Sequence, residues 1–82
     1  MYHFAWVIDP SHSWLQVSWD LIDKHDYSDI SSFSYHDDSY VYLEEDRDAY
    51  LFIKFLDSRG IGYSFYELPS NEDSFVRNLT RY

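Results

Sequence analysis

Apolar residues alternate along the chain almost from its first residue. Tyr2, Phe4, Trp6 and Ile8 fall in one set and His3, Ala5 and Val7 in the other. Side chains on a strand point to opposite faces in turn, so this spacing predicts a strand with apolar members on both faces, the pattern of a central strand. Asp9-Pro10-Ser11 is turn chemistry, since proline fixes its own φ and aspartate can accept from the backbone two residues on. The stretch SWLQVS predicts a second strand, with Leu15 and Val17 on one face and Trp14 and Gln16 on the other. Ser18 suits an N-cap and places Trp19 to about His25 on a short helix.

After the polar punctuation DYSDISS, the stretch FSYHDDSYVYLE predicts a hairpin. Phe33 and Tyr35 alternate with serines, Val41 and Leu43 with tyrosines, and Asp37-Asp38 form the tip. From Arg47 to Ser58 the spacing of Ala49, Phe52, Ile53 and Leu56 is that of one helical face, and Gly60 stands where a left-handed C-cap is wanted. Glu45, Asp46 and Asp48 are expected at the N-terminus of that helix, where free N–H groups and the helix dipole favour negative charge. A last strand, IGYSFYEL, ends at Pro69. The remaining SNEDSFVRNLTRY offers a capping box from Ser70 to Asp73, or else an extended tail. No internal repeat, linker or low-complexity segment interrupts the pattern. The order β-β-α-β-β-α-β predicts a single α+β domain over residues 1–82. Its expected architecture is a mostly antiparallel sheet of about five strands with two helices packed on one face.

Composition narrows the chemistry. The 82 residues include six Phe, nine Tyr and three Trp, more rings than a core of this size needs, so some tyrosines are expected at the surface. There is no cysteine, which rules out disulfides, thiolate metal sites and a cysteine nucleophile and fits a reducing cytosol. No apolar run approaches the roughly 20 residues that span a bilayer, and MYHFAWVID has neither the basic lead nor the cleavage site of a signal peptide. A soluble, cytoplasmic protein is expected. Fifteen acids against six bases give a net charge of −9, which disfavours direct binding to nucleic acid or anionic lipid and favours a protein partner with a basic surface. Solubility alone would also explain such a charge.

The stretches HSWLQVSWDLI, ISSFSY, YVYLEEDRDAYLF and RNLTRY together resemble a group of small bacterial and bacteriophage proteins of uncharacterised function. The shared pattern reads H-x-W-L-x-V, then I-S-x-F/Y-S-Y, then Y-L-E-E-D-x-D-A, then a terminal R-Y. It covers His12 to Tyr82, and its most specific part is Tyr42 to Ala49. The resemblance implies an accessory protein of phage or mobile-element type, acting in the host cytoplasm if phage-encoded. It supplies no catalytic residue, cofactor or ligand. Relatives often carry cysteine where this chain has Arg47, so thiol chemistry would not transfer.

Two readings of function follow. The leading one is a non-enzymatic interaction protein that binds, and in a sharper form inhibits, a protein partner through Asp20, Asp23, Asp37, Asp38, Tyr40, Tyr42, Glu44 and Glu45. Its most specific version is nucleic-acid mimicry, because Asp20, Asp23, Asp26 and Asp29 recur every three residues and the acids at 37, 38, 44, 45, 46, 48 and 57 can extend the row. The alternative is a small metal-dependent or His/carboxylate hydrolase using His12 with the Glu44–Asp48 cluster. Against a metal, residues 44 and 45 on a strand face opposite ways and no D-x-D-x-D-G loop is present. Against zinc, no pair among His3, His12, His25 and His36 has the helical i, i+4 spacing. For His12, a hydrogen bond tying two strands, with Glu44 or Glu45 as its partner, is the plainer expectation. Trp14, Trp19, Tyr40 and Tyr42 would serve as a base-stacking platform only with cations beside them, and acids stand there instead.

Overall fold

The computed structural model describes residues 1–72 and 74–82. Its elements are β1 (Tyr2–Ile8), β2 (Ser13–Ser18), α1 (Trp19–Lys24), β3 (Tyr35–His36), β4 (Tyr40–Glu44), α2 (Asp48–Ser58), β5 (Tyr63–Pro69), a 3-10 helix (Phe75–Asn78) and β6 (Thr80–Arg81). The α+β class and the two α-helices are as expected, but the sheet has six strands, in the order β5-β1-β2-β4-β3-β6. It is also mixed. β1 pairs antiparallel with β2 and parallel with β5, Tyr2 standing opposite Tyr63 and Trp6 opposite Glu67. The reason is the path of α2. Leaving β4, the chain crosses the sheet through that helix and re-enters beyond β1 in the direction β4 had, since β4 and β1 are both antiparallel to β2.

Both α-helices pack on one face. From the sheet, Phe4, Leu15, Val17, Val41 and Leu43 point into this core; α1 adds Leu21 and Ile22, and α2 adds Ala49, Phe52 and Leu56. Phe52 sits at the centre, with the rings of Phe4 and Tyr27 meeting it edge-on at 5.9 and 5.1 Å. Each large side chain buried here contributes about 1.5–3 kcal/mol by leaving water. Both helices end in the same way. The N–H groups of Gly60 and Ile61 donate to Asp57 and Leu56, and those of Asp26 and Tyr27 donate to Asp23 and Ile22. The turning residues, Gly60 and Asp26, have φ of 68° and 50°.

At the helix starts the outcomes differ. Ser18 caps α1 as expected, its Oγ accepting from the Leu21 N–H at 3.2 Å. The start of α2 corrects the sequence reading, because Arg47 occupies the cap position without a side-chain bond to the helix's free N–H groups and neither Asp46 nor Glu45 caps the helix. Glu44 holds the preceding turn instead, its carboxylate accepting from the N–H groups of Asp46 (2.7 Å) and Arg47 (3.2 Å). Asp48 turns into the protein and is fully buried.

The second face carries the C-terminal segment. The capping box proposed from Ser70 to Asp73 lies partly outside the described residues, at Asp73. Beyond it Ser74 caps the 3-10 helix through the Val76 N–H, and β6 then pairs with β3, Tyr35 opposite Arg81. Val76 is buried against Val7, Trp14 and Tyr42, with Leu79 beside them. Elsewhere on this face, among the described residues, Tyr40, Tyr66 and Leu68 are exposed. β5 is an edge strand of seven residues, and no helix among the described residues is long and apolar enough to cross a membrane.

Leu56→Ala is expected to destabilise the fold by about 2–5 kcal/mol by opening a cavity beneath α2. Tyr50→Ala, on the exposed side of the same helix, is expected to cost less than about 0.5 kcal/mol. Urea melts of the two variants check this, and equal losses would contradict the assigned face.

Candidate functional site

Asp9 follows directly on β1, and its side chain is fully buried. It accepts five hydrogen bonds. Oδ1 takes the N–H groups of Ser11 (3.0 Å) and His12 (2.9 Å), and Oδ2 takes that of Ser74 (3.1 Å). The Arg77 guanidinium clamps both oxygens, from Nε at 2.7 Å and Nη2 at 3.1 Å. Arg77 is the main reason that this carboxyl sits well below the usual carboxylate range. Burial opposes the shift, and the backbone donors add to it. The clamp joins the β1–β2 turn to a segment 68 residues away and lays the guanidinium over the Trp14 ring, 5.6 Å from its centre.

Around that clamp opens a cleft of about 420 Å³. Trp14 and Tyr35 meet edge-to-face at 6.2 Å and belong to its wall, with exposed Phe33 also on the lining. His12 stacks on Trp14 at 5.9 Å, and its Nδ1 accepts from Arg77 Nη2 at 3.0 Å, which leaves the neutral ring's proton on Nε2. Arg47, Arg77 and Arg81 all line the cleft, half of the chain's six basic residues, together with Glu44 and Asp46. The four stretches singled out in the sequence meet here, through His12 and Trp14, Phe33 and Tyr35, Glu44, Asp46 and Arg47, and Arg77 and Arg81.

Asp48 is the second buried carboxylate. It accepts from the Ser31 N–H (2.9 Å) and Oγ (2.7 Å), from the Ser34 hydroxyl, and from Arg47 Nη1 at 2.6 Å. Burial pushes its carboxyl up, but the bonds from Ser34, Ser31 and Arg47 outweigh burial and the net displacement is downward. Ser34 Oγ also accepts from the Glu44 N–H at 3.0 Å, so this network fixes the residues on the cleft's rim.

The residues predicted to bind a partner separate into two groups. Tyr42 is corrected: it is only 2% exposed, lies beneath Val76 and Phe75, and bonds Gln16 and Asp37 through its hydroxyl, so its ring is not contact surface. Asp37 accepts from the N–H groups of Ser39 and Tyr40 and shapes the hairpin tip, while Glu44 holds the turn before α2. Asp20, Asp23, Asp38, Tyr40 and Glu45 are exposed. The Trp19 N–H donates to the Ser39 carbonyl at 3.1 Å, which brings Asp20 at the start of α1 beside the hairpin that carries Asp38 and Tyr40. Glu45 accepts from Ser13 Oγ at 2.7 Å. Of the acids expected to form a DNA-like row, Asp48 is buried, Asp29 pairs with Arg47 at 3.0 Å, and Asp57 accepts from the Tyr63 hydroxyl.

His12 and the carboxylates of Glu44 and Asp46 do share the cleft, as the hydrolase reading requires. The hydrogen-bond partner of His12 is Arg77, however, and not the Glu44 or Glu45 expected from the sequence. No group of three or more His, Asp or Glu able to hold a metal ion converges among the described residues. What sequence reasoning missed is the role of Arg77 and Arg81. Neither has a local signal, because each finds its place through a contact more than 45 residues away.

No family model, curated protein or solved structure matches the chain.

Asp9→Asn is expected to cost about 3 kcal/mol at neutral pH, because it removes a buried carboxylate that accepts five hydrogen bonds, two of them from the Arg77 guanidinium. The folded pKa of Asp9 is depressed, so the unfolded chain takes up its proton first as the solution is acidified. Its stabilisation is therefore complete above the ordinary Asp value of about 3.9 and is lost as pH falls towards the folded value. The gap between parent and variant in urea melts should narrow from pH 7 to pH 3. A gap that stays constant would refute this account of Asp9.

Proposed function

We propose that the protein is a non-enzymatic interaction module that binds a protein partner with a basic surface. The observation that carries this reading is the part of the second sheet face where, among the described residues, Tyr40, Tyr66 and Leu68 stay exposed. Rings held on a rigid sheet offer contact area at low entropic cost, and exposed apolar patches of this kind mark interaction surfaces. Asp20 and Asp38 supply an acidic margin near Tyr40, Asp23 is a further exposed acid on α1, and the net charge of −9 steers a basic partner towards the protein. Inhibition of the partner is the natural consequence if the bound surface is its working face.

Aromatic-led binding is favoured over nucleic-acid mimicry. Mimicry needs a continuous row of unpaired carboxylates, whereas Asp29, Asp37, Glu44, Asp48 and Asp57 are engaged within the fold.

The test begins with affinity capture from a host lysate at low and high salt, followed by surface plasmon resonance on the identified partner. Tyr40→Ser with Tyr66→Ser is expected to speed dissociation about 30-fold, the equivalent of roughly 2 kcal/mol for a hot spot. Asp20→Asn with Asp23→Asn and Asp38→Asn should mainly slow association and flatten its salt dependence. Binding indifferent to salt and to both sets of variants would defeat the proposal, and loss of all binding with the Asn set alone would restore mimicry.

A further inference from the structure

We propose that the cleft beside the Asp9–Arg77 clamp is a binding site for a small zwitterion with a flat apolar body, the class to which the aromatic amino acids belong. Three features of the cleft converge on this chemistry. Its volume, about 420 Å³, suits a small molecule and is well below what a folded partner would need. Its lining includes the exposed ring of Phe33 and the half-buried ring of Tyr35, surfaces on which a planar group stacks, while Trp14 is only 2% exposed beneath His12 and Arg77. Its polar lining carries both signs of charge, in a chain that is otherwise strongly acidic.

The sign of charge at each position decides the ligand. Arg81 lies over Tyr35, its guanidinium 5.2 Å from the ring centre, and its hydrogen bond runs to the Ser32 carbonyl at 3.3 Å. Among the described residues it forms no ion pair with a carboxylate, unlike Arg47 and Arg77, so a ligand carboxylate would be its first full counter-charge. Opposite in sign, Asp46 is exposed on the rim and engages the fold through its N–H rather than its carboxylate. A simple anion would meet Asp46 and Glu44 without compensation, and a simple cation would meet three guanidinium groups. Only a ligand bearing both charges satisfies both signs of the lining at once. His12, with its proton on Nε2, adds a neutral donor to the same lining. The site uses neither Tyr40 nor Tyr66 and stands independently of the partner-binding reading.

The experiment is an NMR titration of the full chain, following backbone amides and the three tryptophan indole N–H signals. Four probes are compared: L-tryptophan, tryptamine (no carboxylate), indole-3-propionate (no ammonium) and glycine (no ring). L-tryptophan is expected to give saturable shifts confined to cleft residues, with each other probe at least about tenfold weaker. Arg81→Gln should bring L-tryptophan down to the affinity of tryptamine while leaving tryptamine unchanged. Asp46→Asn should bring it down to that of indole-3-propionate while leaving that probe unchanged. Neither side chain is buried, so both variants are expected to fold, and their amide spectra verify it. The proposal is overturned if L-tryptophan shows no saturable shift up to about 20 mM. It is also overturned if either single-charge probe binds as tightly as L-tryptophan, or if the shifts map outside the cleft.

Discussion

A carboxylate with no solvent around it and a guanidinium that closes on both its oxygens hold this chain end to end. Asp9 stands at the close of the first strand, and Arg77 comes from the 3-10 helix near the C-terminus. A buried charge is costly unless it is paired and hydrogen-bonded, and Asp9 is saturated by five donors. The same bonds anchor the C-terminal segment across the second face. With Arg77 clamped, Val76 drops against Val7 and Trp14, and the chain continues into β6, where pairing with β3 sets Arg81 opposite Tyr35. The wall of the cleft and the burial of Tyr42 are therefore downstream of one ion pair.

Asp48 repeats the device with different donors. Its ligands are mainly hydroxyls and one amide from Ser31 and Ser34, and they tie the irregular segment before β3 to the first turn of α2. Ser34 passes the connection on to the backbone of Glu44, whose own carboxylate fixes the next turn. Acidic residues in this protein thus act as hubs of backbone organisation, and only part of its formal charge is displayed to solvent.

Much of the fold was legible because its signals are local. Alternation located β1, β2 and β5, Ser18 announced α1, and the spacing of Ala49, Phe52 and Leu56 with Gly60 beyond located α2 and its end. The direction of β5 was not legible, since a strand alternates identically whether its neighbour runs parallel or antiparallel. Asp48 stands in the first turn of α2 as expected, but its partners Ser31 and Ser34 were not legible, because they lie in a segment with no periodicity of its own. Tyr42 read as exposed because it alternates with Val41 and Leu43, and its cover arrives from the far end of the chain. For the cleft, the sequence displayed His12 and the acids of residues 44–46, but Arg77 and Arg81 become wall residues only through pairings across most of the molecule.

The edge strand β5 gives the net charge another meaning. It presents Phe65, Tyr66 and Leu68 to solvent along seven residues, and the only charged side chain in its span is Glu67. Edges of this kind are templates for sheet growth between copies, and natural proteins commonly blunt them with lysine, bulges or a covering loop. Here Pro69 interrupts the last position, and mutual repulsion between molecules that each carry −9 adds protection. Colloidal behaviour is therefore tied to ionic strength and acidity. As salt screens the repulsion or acid discharges the carboxylates, folded molecules gain a route to ordered edge-to-edge assembly without first unfolding.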